Sequence, residues 1–318
     1  MVRNIAVAEH AVLLVAAGWA LQAQTPPVFR AIGRNVAVPV IVTDPAGRLV
    51  QGLSPADFAL FDNDRPQTVH LDDTGEGFSI VIAVQTNTAV QAWLPHVRRI
   101  GNIVDGTLAG AHGNATVISF NDEVNVVAGV TDLKASGEKS RCLDAVESAV
   151  ALLRQAPQEG RRVLLLIAQS GDYGSTAKLR DVLRDLERNN IVVYSMTMPR
   201  VGKDLLGSIR VGGAPQEGGG VVVSADLVKL VPEIYRGAKT GADAVSTLTD
   251  YLGGTRIPFR NLRQLEAGLA SISEELHTGY VLSYTPDRAD AGYHRIRVQT
   301  PGRLSSVRAR PGYYIAGE

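Results

Sequence analysis

Between residues 78 and 196, short apolar runs alternate with segments of helical periodicity, and this alternation limits the chain to few folds. Residues 78–84 (FSIVIAV) and 163–168 (VLLLIA) are continuous apolar runs, and 115–120 and 191–196 read as two further strands. Runs of that length without a polar face suit strands buried on both sides, as in a parallel sheet. Between them Trp93, Val97, Ile100 and Val104 recur at helical spacing, predicting a helix over about 91–108. Further helices are predicted over about 140–155 and 176–189, and 124–130 reads as the hairpin partner of strand 115–120. Strands alternating with helices imply crossover connections, and hence an α/β fold with a doubly wound, mostly parallel sheet.

The flanks follow other patterns. In 36–43 (VAVPVIVT), β-branched residues alternate with others, as in a half-buried strand. Asp44-Pro45-Ala46-Gly47 follows as a turn, with Pro presetting φ and Gly accepting a positive one. Two more short strands are expected at 58–61 and 67–71. Residues 34–74 therefore read as a small all-β subdomain, too small to bury a core alone. The alternating tail, 290–314, is a candidate to complete it. The larger domain is expected to span 76–288, with an insertion at 198–223 containing the Gly-rich run GGAPQEGGG. Helices are predicted at about 225–235, 242–252 and 261–276, and a strand at 280–284.

The first residues carry an address. Arg3 precedes the apolar run 11–20 (AVLLVAAGWA), and small residues follow up to Ala23. That order matches a secretory signal over 1–23. The run is too short for the ~30 Å hydrocarbon core, which takes about 20 residues. The chain is expected to be exported (periplasmic, secreted or cell-surface), with no stable membrane span after processing. Lys plus Arg equals Asp plus Glu at 32 each, so no global field draws it to nucleic acid.

Catalytic signatures are incomplete. Gly237-Ala238-Lys239-Thr240 lacks the Gly before Lys and the upstream strand of a phosphate loop. In Ala168-Gln169-Ser170-Gly171-Asp172 the flanking glycines of a serine nucleophile elbow are replaced. The six histidines are scattered, which favours surface and turn positions over ligand or base roles. Cys142, the single cysteine, sits in an apolar stretch and reads as a small buried hydrophobe.

The segment NVAVPVIVTDPAGRLVQGLSPADFALFDNDRPQTV followed by FSIVIAV resembles a family of exported bacterial proteins, well represented in acidobacteria, related to von Willebrand factor A domains. TLTDYLGGTRIPFRNLRQLEAGLASISEELHTGYVLSYTP and the ending HRIRVQT…VRARPGYY resemble the same family's C-terminal part. The resemblance implies a von Willebrand factor A-like fold with a metal-ion-dependent adhesion site at the carboxyl ends of the strands. In that pattern the first strand ends in Asp-x-Ser-x-Ser, a later loop offers Thr, and the fourth strand ends in Asp. Here Gln85, Asn87 and Ala89 stand at the first motif, Ser140 at the Thr position and Gln169 at the final Asp. Mg²⁺ holds its waters strongly and needs carboxylate charge to bind, so the site reads as degenerate and metal-free. Asp172, three residues past Gln169, is a possible substitute ligand.

These readings lead to a non-enzymatic binding or adhesion module that meets a protein partner through Gln85, Asn87, Ala89, Ser140, Gln169 and Asp172, with no cofactor. A metal-dependent adhesion protein with substituted ligands, and an enzyme of unknown type, are the alternatives. Strand-end crevices of open α/β sheets are common ligand sites. A fold alone does not assign a function.

Overall fold

The computed structural model describes residues 35–72, 77–104, 108, 114–156, 160–199, 243–288, 290–300 and 306–315. The expected signal segment, residues 200–223 of the expected insertion and the helix predicted at 225–235 lie outside the described residues.

The first elements are β1 (Val36–Thr43), β2 (Ala59–Asp62), β3 (Arg65–Gln67), β4 (His70–Leu71) and β5 (Phe78–Gln85). Then come α1 (Leu94–Arg98), α2 (Gly101–Ile103), β6 (Asn114–Phe120), β7 (Val124–Val127), α3 (Cys142–Gln155) and β8 (Arg161–Ala168). They are followed by α4 (Leu179–Arg188), β9 (Ile191–Thr197), α5 (Ala244–Tyr251), β10 (Arg256–Pro258) and α6 (Leu262–Thr278). The chain closes with β11 (Tyr280–Tyr284), β12 (Gly292–Gln299), β13 (Ser306–Ala309) and β14 (Gly312–Ile315).

The central sheet has the order β10-β9-β8-β5-β6-β7, parallel throughout except for the β6–β7 pair. Its inner strands β5, β8 and β9 are largely apolar on both faces because both are covered. Val81, Ala83, Leu164 and Leu166 pack against α3, α4 and α5. Ile80, Ile82, Leu165 and Ile167 face the other way, with Leu94 and Val97 of α1 and Leu265, Leu269 and Ile272 of α6. Each such side chain fully buried stabilises the fold by about 1.5–3 kcal/mol.

The single helix predicted over 91–108 is broken. α1 ends at Arg98 and a second helical turn begins at Gly101, a residue of low helix propensity. Leu94, Val97, Ile100 and Val104 nonetheless point inwards, so the period survives the break. α6 starts as its sequence suggests: the Asn261 side chain accepts the Gln264 N–H at 2.9 Å.

The flanking strands form two antiparallel sheets, ordered β13-β1-β11-β4 and β14-β12-β2-β3. Both ends of the chain therefore contribute to each. A third core, including Val38, Val40, Leu60, Leu282, Tyr284, Ile296 and Tyr313, lies between them. Strand β11, which the chain order assigned to the larger domain, pairs instead with β1, placing Val38 opposite Leu282. Its inward residues Leu282 and Tyr284 match the apolar face of β1, which decides the pairing.

One polar cluster sits in this core. The hydroxyls of Tyr284 and Tyr313 donate to Asp62 Oδ2 at 2.9 and 2.8 Å. His294 Nδ1 lies 2.9 Å from Asp62 Oδ1, and Nε2 lies 2.8 Å from the Asp290 carbonyl oxygen. His294 is thus a core residue, against the expectation that the scattered histidines occupy surfaces and turns.

Candidate functional site

The candidate residues fall at the carboxyl ends of adjacent parallel strands. β5 ends in Gln85, β8 lies beside it in the sheet, and Gln169 is the residue after β8. Gln85, Asn87, Ser140 and Gln169 are all buried, Asp172 is half-buried and Ala89 is exposed.

Three of them form one hydrogen-bonded relay. The Gln169 N–H donates to Gln85 Oε1 at 2.8 Å, and Gln85 Nε2 donates to Asn87 Oδ1 at 2.9 Å. Asn87 Nδ2 then donates to the Glu138 carbonyl at 3.0 Å, and Gln169 Nε2 to the Pro199 carbonyl at 3.3 Å. A neutral amide both donates and accepts, so both ends of the Gln85 and Asn87 side chains find partners, while Gln169 contributes its backbone N–H and its Nε2. An aspartate at position 85 would have no proton to offer Asn87. Gln85, Asn87 and Gln169 thus form an uncharged, hydrogen-bonded seam at the strand ends.

Ser140 and Asp172 are also occupied. Ser140 Oγ donates to the Gly171 carbonyl at 3.3 Å, and its backbone exchanges two hydrogen bonds with Tyr173, at 3.0 and 2.8 Å. Asp172 Oδ1 accepts the Leu143 N–H at 3.0 Å and the Ser175 hydroxyl at 2.6 Å. Leu143 lies in the first turn of α3, so Asp172 satisfies a free helix N–H with a negative charge near the positive end of the helix. Asp172→Ala is therefore expected to destabilise the protein by about 1 kcal/mol, as for loss of a cap. Urea denaturation measures it, and an unchanged midpoint would remove this role.

These residues do not fit a bound Mg²⁺. No carboxylate reaches the seam from positions 85, 87, 140 or 169, and Asp172 is directed to α3. Hard-cation sites need charged oxygens to offset dehydration.

Several neighbours that the sequence reading passed over complete the surroundings. Asn121, in the β6–β7 turn, donates to Thr86 Oγ1 at 3.2 Å and to Ser136 Oγ at 2.9 Å. Asp122 Oδ1 accepts the N–H groups of Lys139 and Glu138 at 2.7 and 3.1 Å. The Lys139 N–H, with other donors, holds the Asp122 carboxyl below the usual carboxylate range. Burial acts to raise the Asp144 carboxyl, but hydrogen bonds from the Ala177 N–H and Arg141 outweigh it and leave it lowered. Burial pushes the neighbouring Cys142 thiol up, in keeping with an inert packed sulfur.

At the rim, the Thr88 N–H donates to the Gly137 carbonyl at 3.0 Å, joining the 88–89 turn to the loop that ends at Ser140. Tyr173 stands next to it and is 46% exposed, one of two large hydrophobic side chains so exposed among the described residues. Its only signal in the sequence was an aromatic placed in a strand-end loop, between Asp172 and Gly174.

The fold and this site define an α/β protein with a largely parallel central sheet, flanked by antiparallel sheets, whose strand ends carry neutral side chains. No protein-family model matches the chain, and no curated protein does. Among solved structures, it is similar to an aerotolerance-related membrane protein from Bacteroides fragilis NCTC 9343, in a form with multiple mutations to serine. That similarity spans 63% of this chain and 100% of the other, at 12% identity and a TM-score of 0.36. At that level it says nothing of activity or partners. Among the described residues, no helix is long and apolar enough to cross a membrane.

Proposed function

We propose that this chain is an exported, non-enzymatic binding module of von Willebrand factor A type, which engages a protein partner directly through its strand-end loops. Tyr173 carries the proposal. It is an exposed aromatic whose backbone is fixed by two hydrogen bonds to Ser140. A rigid aromatic loses little side-chain entropy on binding, and tyrosines are enriched among the residues that dominate interfaces. Exposed Thr88, Ala89, Glu138 and Lys139, on the strand-end loops joined by the Thr88–Gly137 and Ser140–Tyr173 hydrogen bonds, supply the mixed polar character of a protein contact.

The relay among Gln85, Asn87 and Gln169 supports direct contact, because it keeps the loops in register without a bridging ion. Calorimetric titration of the mature protein with Mg²⁺ or Mn²⁺ is expected to give no binding heat at millimolar concentrations. Micromolar binding would instead favour a metal-dependent adhesion protein.

Site-specific photo-crosslinking tests the face itself. A photoreactive residue at Ala89 or Lys139 in the exported protein is expected to capture one recurrent protein, and Tyr173→Ala to abolish that capture without altering the unfolding midpoint. The same residue at exposed Arg65, on β3, serves as control. Equal capture from Arg65, or none from either loop position, would remove the proposal.

A further inference from the structure

At the other end of the parallel strands, the amino ends of β8 and β9 approach β1, β11 and the end of α6 around a cavity of about 250 Å³. Its walls are partly apolar, with Pro39, Ile41, Val192 and Leu276 among them, and three arginines line it: Arg161, Arg162 and Arg310. The acidic residues in the lining are Asp72 and Glu275. Glu275 is paired with Arg308, and Asp72 accepts the Ser283 hydroxyl. Arg161 donates to the Leu276 and Gly279 carbonyls at 2.7 and 2.6 Å, answering the negative end of α6.

The other two arginines have unmet donors. Arg310 is only 5% exposed, and its Nε–H finds no acceptor among the described residues. Its guanidinium lies over the Tyr313 ring, 5.6 Å from the centroid. The carboxylate on that side, Glu187, is engaged by the Tyr251 hydroxyl at 2.5 Å. Arg162 donates to the Asn189 carbonyl at 3.4 Å, while its own buried Nε–H likewise finds no acceptor among the described residues. A buried guanidinium with an unsatisfied donor is costly unless an anion completes it. Two arginines with such donors line one cavity beside apolar walls, the lining that a charged head with a hydrophobic body requires.

We propose that this cavity binds a compact organic carboxylate, its head held by Arg310 and Arg162 and its apolar body against Pro39, Ile41, Val192 and Leu276. The volume is just below the roughly 300–1,000 Å³ of pockets for drug-sized molecules, which keeps the ligand small. Dehydrating a second negative charge against these apolar walls disfavours inorganic phosphate. The site is remote from the strand-end loops and goes beyond the binding role proposed for them, so either can fail without the other.

The test is calorimetry and thermal unfolding of the full chain with hexanoate and benzoate. Hexanamide, benzamide and inorganic phosphate are the controls. Saturable binding of at least one carboxylate, with a raised unfolding midpoint, is expected, and neither amide nor phosphate should match it. Arg310→Met is expected to weaken that binding about 10- to 100-fold, the worth of a charge-assisted hydrogen bond. If Arg310→Met does not fold, Arg162→Gln, at a half-buried position, carries the same expectation. No stabilisation by either carboxylate, equal binding of an amide or of phosphate, or undiminished affinity in the folded variant would overturn the proposal.

Discussion

Replacing Asp62 by alanine is expected to destabilise the protein by about 3–5 kcal/mol, the usual cost of breaking a buried pair from one side. Asp62 is 4% exposed, and its two oxygens receive Tyr284, Tyr313 and His294 from three different strands. Alanine leaves two hydroxyls and an imidazole nitrogen buried without acceptors. Asp62→Asn is a sharper probe. Its Oδ1 can still accept both hydroxyls, and its Nδ2 can donate to Nδ1 of a neutral His294 that keeps Nε2–H on the Asp290 carbonyl. The amide variant is thus expected to lose less than half as much stability as the alanine variant. Urea denaturation at constant m-value compares the two. Equal losses would mean that the carboxylate charge, and not the hydrogen-bond count, holds the cluster. A loss below about 1 kcal/mol for alanine would remove the cluster as a stabilising element.

The second large effect is expected at Gly254. A Cβ placed there would collide with the Val193 carbonyl group, coming 2.7 Å from its carbon. Val193 is in the middle of β9, whose backbone cannot retreat without disturbing β8. The same stretch of chain anchors β10, through the Ser195 N–H on the Thr255 carbonyl at 3.0 Å. Gly254→Ala should therefore cost about 3 kcal/mol or more, at the upper end of overpacking effects. Gly52→Ala is the control: φ is +79° there, but a Cβ would meet nothing within 4 Å. That variant should lose only the backbone strain, about 1–2 kcal/mol. Thermal unfolding of both separates collision from strain, and a Gly254 variant no worse than Gly52→Ala would show that β9 yields.

Much of the central sheet was legible because its signal is local. A strand covered on both faces has to be apolar along its whole length, and 78–84 and 163–168 are. β10 was not legible. Arg256-Ile257-Pro258 is too short and polar to show any period, and it becomes a strand only because β9 presents an open edge. The candidate site was half legible. The positions 85, 87 and 169 could be named, but not that their amides close on one another, since Gln85 and Gln169 are 84 residues apart.

The sequence by itself determined the alternation of strands and helices, the turn at Asp44–Gly47 and the absence of carboxylates from positions 85, 87 and 169. Each rests on residues within a few positions of one another, where sterics and hydrophobic period act directly. The tertiary structure alone decided that β11 pairs with β1, that His294 is buried on Asp62 from 232 residues away, and that Arg310 and Arg162 share one cavity. A side chain's partner across such a distance leaves no periodic trace in the chain, because it is selected by which surfaces fit once the local elements have formed.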